Sequence, residues 1–346
     1  MSPYLVIFII IAYFLVLISI SYFTSKNANS ESFFLGNRKS PWYIVAFGMI
    51  SASLSGVTFI SVPGWVVSSN FSYMQMVLGY LVGYAVIANV LMPMYYRLNL
   101  TSIYTYLGQR FGKYSYKTGS SFFLLSRIIG ASFRLFLVAN VLQITVFNAL
   151  EIPFWITVVI TIALIWLYTF KGGIKTIIWT DSLQTVFMLT ALVVSIVLIS
   201  KNLNLDFKGL VNTVVENKHS KLFHFDDFKG AHFFLKQFFA GAFIAIVMTG
   251  LDQDMMQKNL SCKNLPEAKK NIYWMSWALI PVNFIFLTLG AFLAYYAQEQ
   301  GITIIGTSDN LFPEVALNHL GSFAGVVFII GLIAAAYSSA DSALTA

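Results

Sequence analysis

Nine stretches of the chain run nearly free of charge for about the length of a membrane helix: 3–23, 42–67, 73–96, 119–147, 152–170, 174–200, 231–250, 271–296 and 320–346. A helix crosses the hydrocarbon layer with about 20 apolar residues, because lipid offers no partner to an unpaired backbone group. The pattern therefore predicts an all-α membrane protein of nine spans joined by polar loops. The first stretch has no basic start and no small-residue cleavage site before Lys26, so it reads as a retained helix rather than a secretory signal.

Polar positions inside these runs carry the chemistry. Segment 42–67 holds Ser51, Ser53, Ser55, Gly56, Thr58, Ser61, Pro63 and Gly64 where lipid alone would favour Leu and Phe. Two readings stand: a helix that unwinds mid-membrane and turns freed carbonyls into ligands, or a small-residue face for close helix packing. In 320–346, Ala335, Ser338, Ser339, Asp341 and Ser342 fall close to one helical stripe, presenting a carbonyl, hydroxyls and a carboxylate. Oxygen ligands suit a hard cation such as sodium. A carboxylate at that depth needs a partner, a proton or a cation. Asp181 opens 174–200, where it is either buried or a near-surface carboxylate favoured by the helix dipole. Arg127 and Arg134 share a face of 119–147 and could neutralise a buried carboxylate or meet an anionic solute, while Arg127 could instead snorkel.

Composition agrees with the pattern. With 58% hydrophobic and 10% charged residues, the chain has too few charges to coat a soluble domain, and lipid is its expected partner. Its net charge of +7 reports topology rather than a nucleic-acid partner. Taken alternately, one set of loops collects the basic residues Lys26, Arg38, Arg97, Arg110, Lys113, Lys171, Lys258 and Lys270 among others. On the opposite side, 68–72, 148–151 and 297–319 carry none, and the lysines of 201–230, Lys218 among them, are diluted by acids. This asymmetry puts the N-terminus outside and residues 24–41, 97–118 and 251–270 in the cytoplasm of a plasma membrane, the inner membrane of a bacterium. The single cysteine, Cys262, excludes an intrachain disulfide, and His219, His224, His232 and His319 fall in or beside loops without metal-ligand spacing. No cofactor is expected.

An enzyme would need a convergent nucleophile, acid/base pair or metal set, and the spans offer none. Leu251-Asp-Gln-Asp254 followed by Lys258 reads as a cytoplasmic helix cap and charged flank. Because the chain stops at Ala346 inside an apolar run, it is expected to be a fragment lacking its C-terminal helices.

Four stretches together resemble the sodium:solute symporters, the family of sodium/glucose, sodium/proline and sodium/sialic acid carriers. They are the Ser51 to Gly64 run, Thr101-Ser-Ile-Tyr-Thr-Tyr-Leu-Gly-Gln-Arg-Phe-Gly112, Gly172-Gly-Ile-Lys-Thr-Ile-Ile-Trp-Thr-Asp-Ser-Leu-Gln184 and Ala335-Ala-Tyr-Ser-Ser339. The resemblance implies one LeuT-like transporter domain over 1–346: an extra N-terminal helix at 3–23, a first five-helix repeat at 42–200 and a partial second repeat at 231–346. Segment 42–67 would be the broken first core helix, 231–250 the broken sixth and 320–346 the eighth.

The resemblance further implies a main sodium site from the carbonyls of Ser51, Leu54 and Ala335 and the hydroxyls of Ser338 and Ser339. A second sodium site, present in some members, would match Asp181 with Ser338, Asp341 and Ser342. Asp341 stands where a hydroxyl residue is often found, which leaves open a second ion or a proton shared by two carboxylates. The solute cavity would be lined by Ser53, Ser55, Thr58 and Gln75, with Arg127 for an acidic solute and Phe238 and Phe239 as gate aromatics. The implied function is sodium-coupled symport of a small organic solute by alternating access, with the protein acting as a monomer. Symporter-like domains are also fused to kinase modules, so a membrane sensor of a signalling protein is the alternative.

Overall fold

The computed structural model describes residues 3–26, 29–216, 219–304 and 306–345. Lys218 and the chain end at Ala346, both used above, lie outside the described residues. The described residues are helical throughout their ordered elements, with one isolated bridge between Ser40 and Cys262. In chain order the helices are α1 (Pro3–Thr24), α2 (Ser30–Leu35), α3 (Trp42–Ser53), α4 (Gly56–Ser69), α5 (Tyr73–Val86), α6 (Met92–Arg97), α7 (Thr105–Phe111) and α8 (Lys113–Leu142). They continue as α9 (Phe154–Thr169), α10 (Gly173–Asn202), α11 (Phe207–Val215), α12 (Phe234–Ala245), α13 (Gln253–Leu260), α14 (Leu265–Glu299), α15 (Leu311–Glu314) and α16 (Gly321–Thr345). A π-helical turn, Ile87–Leu91, joins α5 to α6 into one rod, and a second, Ile246–Gly250, extends α12.

Among the described residues, six helices are long and apolar enough to cross a membrane, and two bent pairs bring the number to eight. The ninth expected span, 152–170, coincides with α9, an apolar helix whose 16 residues fall short of the length that marks the others as spans. The bent pairs are α3 with α4, which meet at 59°, and α12 with α13, which meet at 68°.

The second pair corrects the sequence reading. The expected span ended at residue 250, with Lys258 on a cytoplasmic flank. Instead the chain breaks at Leu251 and Asp252 and turns back into helix, and every residue of α13, Lys258 included, is buried. Hydropathy missed this half-helix because Gln253, Asp254, Gln257, Lys258 and Asn259 are polar, yet tertiary packing encloses them.

α16 lies at the centre, with 72% of its apolar window buried, whereas only 11% of the α8 window is. Exposed Phe122, Phe133 and Phe136 on α8 and Trp155 and Trp166 on α9 form the apolar surface that lipid would cover. α10 packs along α16 and α3, α14 along α4, and α12 along α5. The last pair is close because it is built on small residues: a Cβ placed on Gly79 of α5 would lie 2.9 Å from the Phe238 carbonyl carbon of α12.

The loops sort into two ends. At one, the Tyr96 hydroxyl donates to the carbonyls of Asn259 (3.1 Å) and Cys262 (3.0 Å), and the Ser40 amide bonds the Ser261 carbonyl at 3.2 Å. At the other, the Phe71 amide bonds the Lys221 carbonyl at 3.2 Å.

Candidate functional site

The break in 42–67 is made by backbone that leaves the helical ladder. The Leu54 amide makes the last bond of α3, to Ile50 (2.9 Å), and the ladder resumes with the Phe59 amide on Ser55 (3.0 Å). Leu54 itself sits at φ −103° and ψ 86°, and Ser55 is extended. The carbonyls from Ser51 to Leu54 thus accept from no backbone amide, which is the condition for using them as ligands. Hydroxyls on α10 hold the strand of helix before the break: Ser182 donates to the Ile44 carbonyl (3.1 Å) and Thr185 to that of Phe47 (3.0 Å). Gly48 lets α10 come this near, since a Cβ there would be 3.0 Å from the Asp181 Cβ.

α16 meets the break from the other side. The Ser51 hydroxyl bonds the Ser338 hydroxyl at 3.0 Å and also reaches the carbonyls of Gly48 (3.0 Å) and Asp181 (3.1 Å). One residue on, the Ser339 hydroxyl is buried and has no hydrogen-bond partner. A buried orphan hydroxyl is uncommon, because leaving a polar group unmet costs about 1–3 kcal/mol. Ser339 faces the cavity between the two bent pairs, of about 210 Å³, whose wall also contains Leu54 and Ser338. Ser51 and Ala335 are fully buried behind that wall.

Of the residues expected to meet a solute, Ser53, Ser55 and Thr58 line this cavity and Gln75 does not. Gln75 is buried and spent on the backbone: its amide nitrogen donates to the His232 carbonyl (3.0 Å) and its oxygen accepts from the His224 amide (3.0 Å). It pins the 219–233 loop onto α5. Phe238 stacks on Phe234 and meets Phe239 edge-on, and neither Phe238 nor Phe239 belongs to the cavity wall.

Arg127 lies at the cavity but pairs with carboxylates of the second break, bonding Asp252 and, at 3.2 Å, Asp254. Asp252 does cap α13, accepting from the Met255 amide at 3.3 Å, and so combines the expected cap with an ion pair. Arg134, two turns further along α8, also lines the cavity and has no carboxylate within ion-pair distance among the described residues. Tyr73, Tyr80 and Tyr84 complete the wall on α5, with the Tyr73 and Tyr80 hydroxyls 3.1 Å apart. Sequence reading missed these tyrosines. Their i, i+7, i+11 spacing on one helical face was the available signal, hidden among 18 Tyr and 32 Phe.

The second expected cation set is more deeply placed. Asp181, Asp341 and Ser342 are all buried. Asp181 pairs with Lys258 of α13 at 2.6 Å, and Asp341 accepts from the Tyr168 hydroxyl at 2.8 Å and from Ser342 at 3.2 Å. Asp181 is therefore buried rather than a near-surface helix-end carboxylate, and Lys258 is the residue sequence reading misplaced. Among the described residues no group of His, Cys, Asp and Glu is arranged to hold a metal ion in the manner of a metalloprotein.

Residues 33–346 match the profile of the sodium:solute symporter family. The chain is 25% identical over 347 residues to the sodium/sialic acid symporter NanT of Aliivibrio fischeri, covering 93% of this chain and 64% of that protein. It is 24% identical over 322 residues to human sodium-coupled monocarboxylate transporter 1, covering 91% of this chain and 51% of that protein. It thus spans about half to two thirds of the length of these relatives. Among solved structures, a Na+-coupled sialic acid symporter in a substrate-bound outward-open state superposes with a TM-score of 0.86 over 99% of this chain and 72% of that one, at 20% identity. The two share a fold.

Proposed function

The chain belongs to the sodium:solute symporter family, and from that premise we propose that the full-length protein is a secondary transporter that carries a small organic anion into the cell together with sodium. The observation that carries the coupling is the partnerless buried hydroxyl of Ser339, beside a helix break whose carbonyls are free, in the wall of the same cavity. Carbonyls of Ser51, Leu54 and Ala335 with hydroxyls of Ser338 and Ser339 make a set of hard oxygen ligands without a carboxylate, suited to a monovalent ion. Sodium there bridges the broken α3–α4 pair to α16. Its arrival from outside steadies the break next to Ser53, Ser55 and Thr58, and the bent pairs then rock against the other helices to open inward.

The anionic class rests on Arg134, a guanidinium on the cavity wall with no carboxylate within ion-pair distance among the described residues, the nearby Asp252 and Asp254 being paired with Arg127. A planar fork of donors suits a carboxylate. Relatives named for sialic acid and for monocarboxylates carry anionic solutes by their names, in line with this reading. In the same reading the chain is one LeuT-like domain of nine spans, α9 included. The first repeat runs over 42–200, a partial second over 231–346, and the N-terminus faces outward from a bacterial inner membrane. Each sodium moving down 100 mV supplies about 2.3 kcal/mol, roughly 50-fold accumulation before its own gradient is counted.

Uptake of labelled sialic acid or short monocarboxylates into vesicles bearing the full-length protein tests the proposal. A sodium gradient should drive uptake, and Ser339→Ala should raise the sodium concentration needed for half-maximal rate by about tenfold, one charge-assisted contact. Uptake indifferent to sodium overturns the coupling.

A further inference from the structure

The charges of α14 end abruptly. Glu267, Lys269 and Lys270 stand in its first two turns, and no Asp, Glu, Lys or Arg follows until Glu299. At 1.5 Å per residue the 35-residue helix is about 52 Å long, well beyond a hydrocarbon layer of about 30 Å, so its charged first turns reach the headgroups. The level at which a phospholipid's phosphate meets its acyl chains therefore falls near Lys269 and Lys270.

At that level the surface is shaped. Trp42, at the start of α3, faces Lys269, Lys270, Tyr273, Trp274 and Trp277 of α14 across a groove of about 400 Å³. The five α14 residues are spaced i, i+1, i+4, i+5 and i+8, a single stripe with the ammonium groups at its outer end and the rings deeper. Trp274 and Trp277 are exposed, whereas Trp42 is half-buried against the core. Three of the seven tryptophans share this groove, a concentration that a belt spread evenly around the molecule would not give. An exposed polar residue organises it. Asn89 stands on the π-helical turn between α5 and α6, where lipid would favour an apolar side chain. Its amide nitrogen donates to the Tyr273 hydroxyl, and its oxygen accepts from Lys269 at 3.3 Å. Neither Lys269 nor Lys270 has a carboxylate within ion-pair distance among the described residues, Glu267 included.

We propose that this groove binds an anionic phospholipid, its phosphate between Lys269 and Lys270 and an acyl chain laid along Trp42, Tyr273, Trp274 and Trp277. A soluble phosphate would meet the lysines but leave the rings uncovered. An apolar helix would cover the rings but leave both ammonium groups unmatched. A phospholipid answers both, the lysines choosing the headgroup and the aromatic stripe fixing the depth. In the orientation proposed above it comes from the cytoplasmic leaflet, and it bridges α3, the first half of a bent pair, to the unbroken α14. The inference needs only a membrane and stands whether or not transport is coupled to sodium.

Native mass spectrometry of the purified full-length protein, titrated with phosphatidylglycerol or with phosphatidylcholine of the same acyl chains, tests it. Each lysine near an anionic headgroup strengthens binding roughly fivefold, so phosphatidylglycerol should fill its first site roughly 25-fold more tightly. Lys269→Gln with Lys270→Gln should remove that preference, whereas Lys269→Arg with Lys270→Arg should keep it. Lys113→Gln with Lys117→Gln, two exposed lysines at the start of α8, should leave it unchanged. Equal binding of the two lipids by the wild type overturns the inference. So does a preference that survives the glutamine pair in α14, or one that falls as far with the pair in α8. Displacement of the lipid by inorganic phosphate at equal concentration would show a bare anion site and overturn it as well.

Discussion

Arg127 and Arg134 sit on the same face of α8, yet their surroundings assign them different work. Arg127 is bound to Asp252 and Asp254 at the second break. Arg127→Ala leaves two buried carboxylates facing each other, and breaking such a pair costs about 3–5 kcal/mol. The expected outcome is a lowered melting temperature for the purified protein, largely restored by Arg127→Lys; equal loss in both variants would mean that the fork geometry, not the charge, matters. For Arg134, with no such partner, Arg134→Gln should leave stability nearly unchanged and weaken uptake of a carboxylate solute roughly 10- to 100-fold, the worth of about 1.5–3 kcal/mol for hydrogen bonds to a charged group. A neutral analogue losing as much would remove Arg134 from solute recognition. Spacing alone showed that both arginines share a face. It could not show which one already had a counter-ion, because Asp252 and Asp254 lie more than a hundred residues away in the chain.

At the scale of elements, Ser, Gly, Thr and Pro interrupting an apolar run marked 42–67 as either a break or a packing face, and the family resemblance pointed to the break. The resemblance implied a second break within 231–250, but its inner half at 253–260 was not legible, since that half is polar and reads as loop. The α5–α12 contact shows how such a bent element is held: Gly79 and Gly241 bring the backbones together where larger side chains would collide with carbonyls. Gly79→Leu should therefore wedge the pair apart, at a cost of at least about 1–3 kcal/mol for overpacking. Size-exclusion chromatography after mild heating would report this as early aggregation, whereas Gly130→Leu on α8, where a Cβ meets nothing within 4 Å, should behave as wild type. Equal behaviour of the two variants would refute the close-packing account.

The whole molecule divides its loops between two ends, and orientation can be read by labelling. Cys262 makes this convenient: it is fully buried in the α13–α14 connection, and burial pushes its thiol up to about 12. Since the thiolate is the reactive form, the native chain should resist maleimide at neutral pH. Lys229→Cys should then label in intact cells and Lys113→Cys only after permeabilisation; the reverse pattern would turn the topology over. The sequence by itself determined the membrane class, the positions of most spans, and the stripe of Ser338, Ser339, Asp341 and Ser342, because hydropathy, helical period and small polar residues are local properties. Tertiary structure alone decided that Gln75 serves a loop, that Arg127 is neutralised, that Tyr73, Tyr80 and Tyr84 line the cavity, and that Lys258 is a buried cation on Asp181. Each of those depends on which distant group meets a side chain, and electrostatic pairing across 77 residues of chain leaves no periodic trace in the sequence.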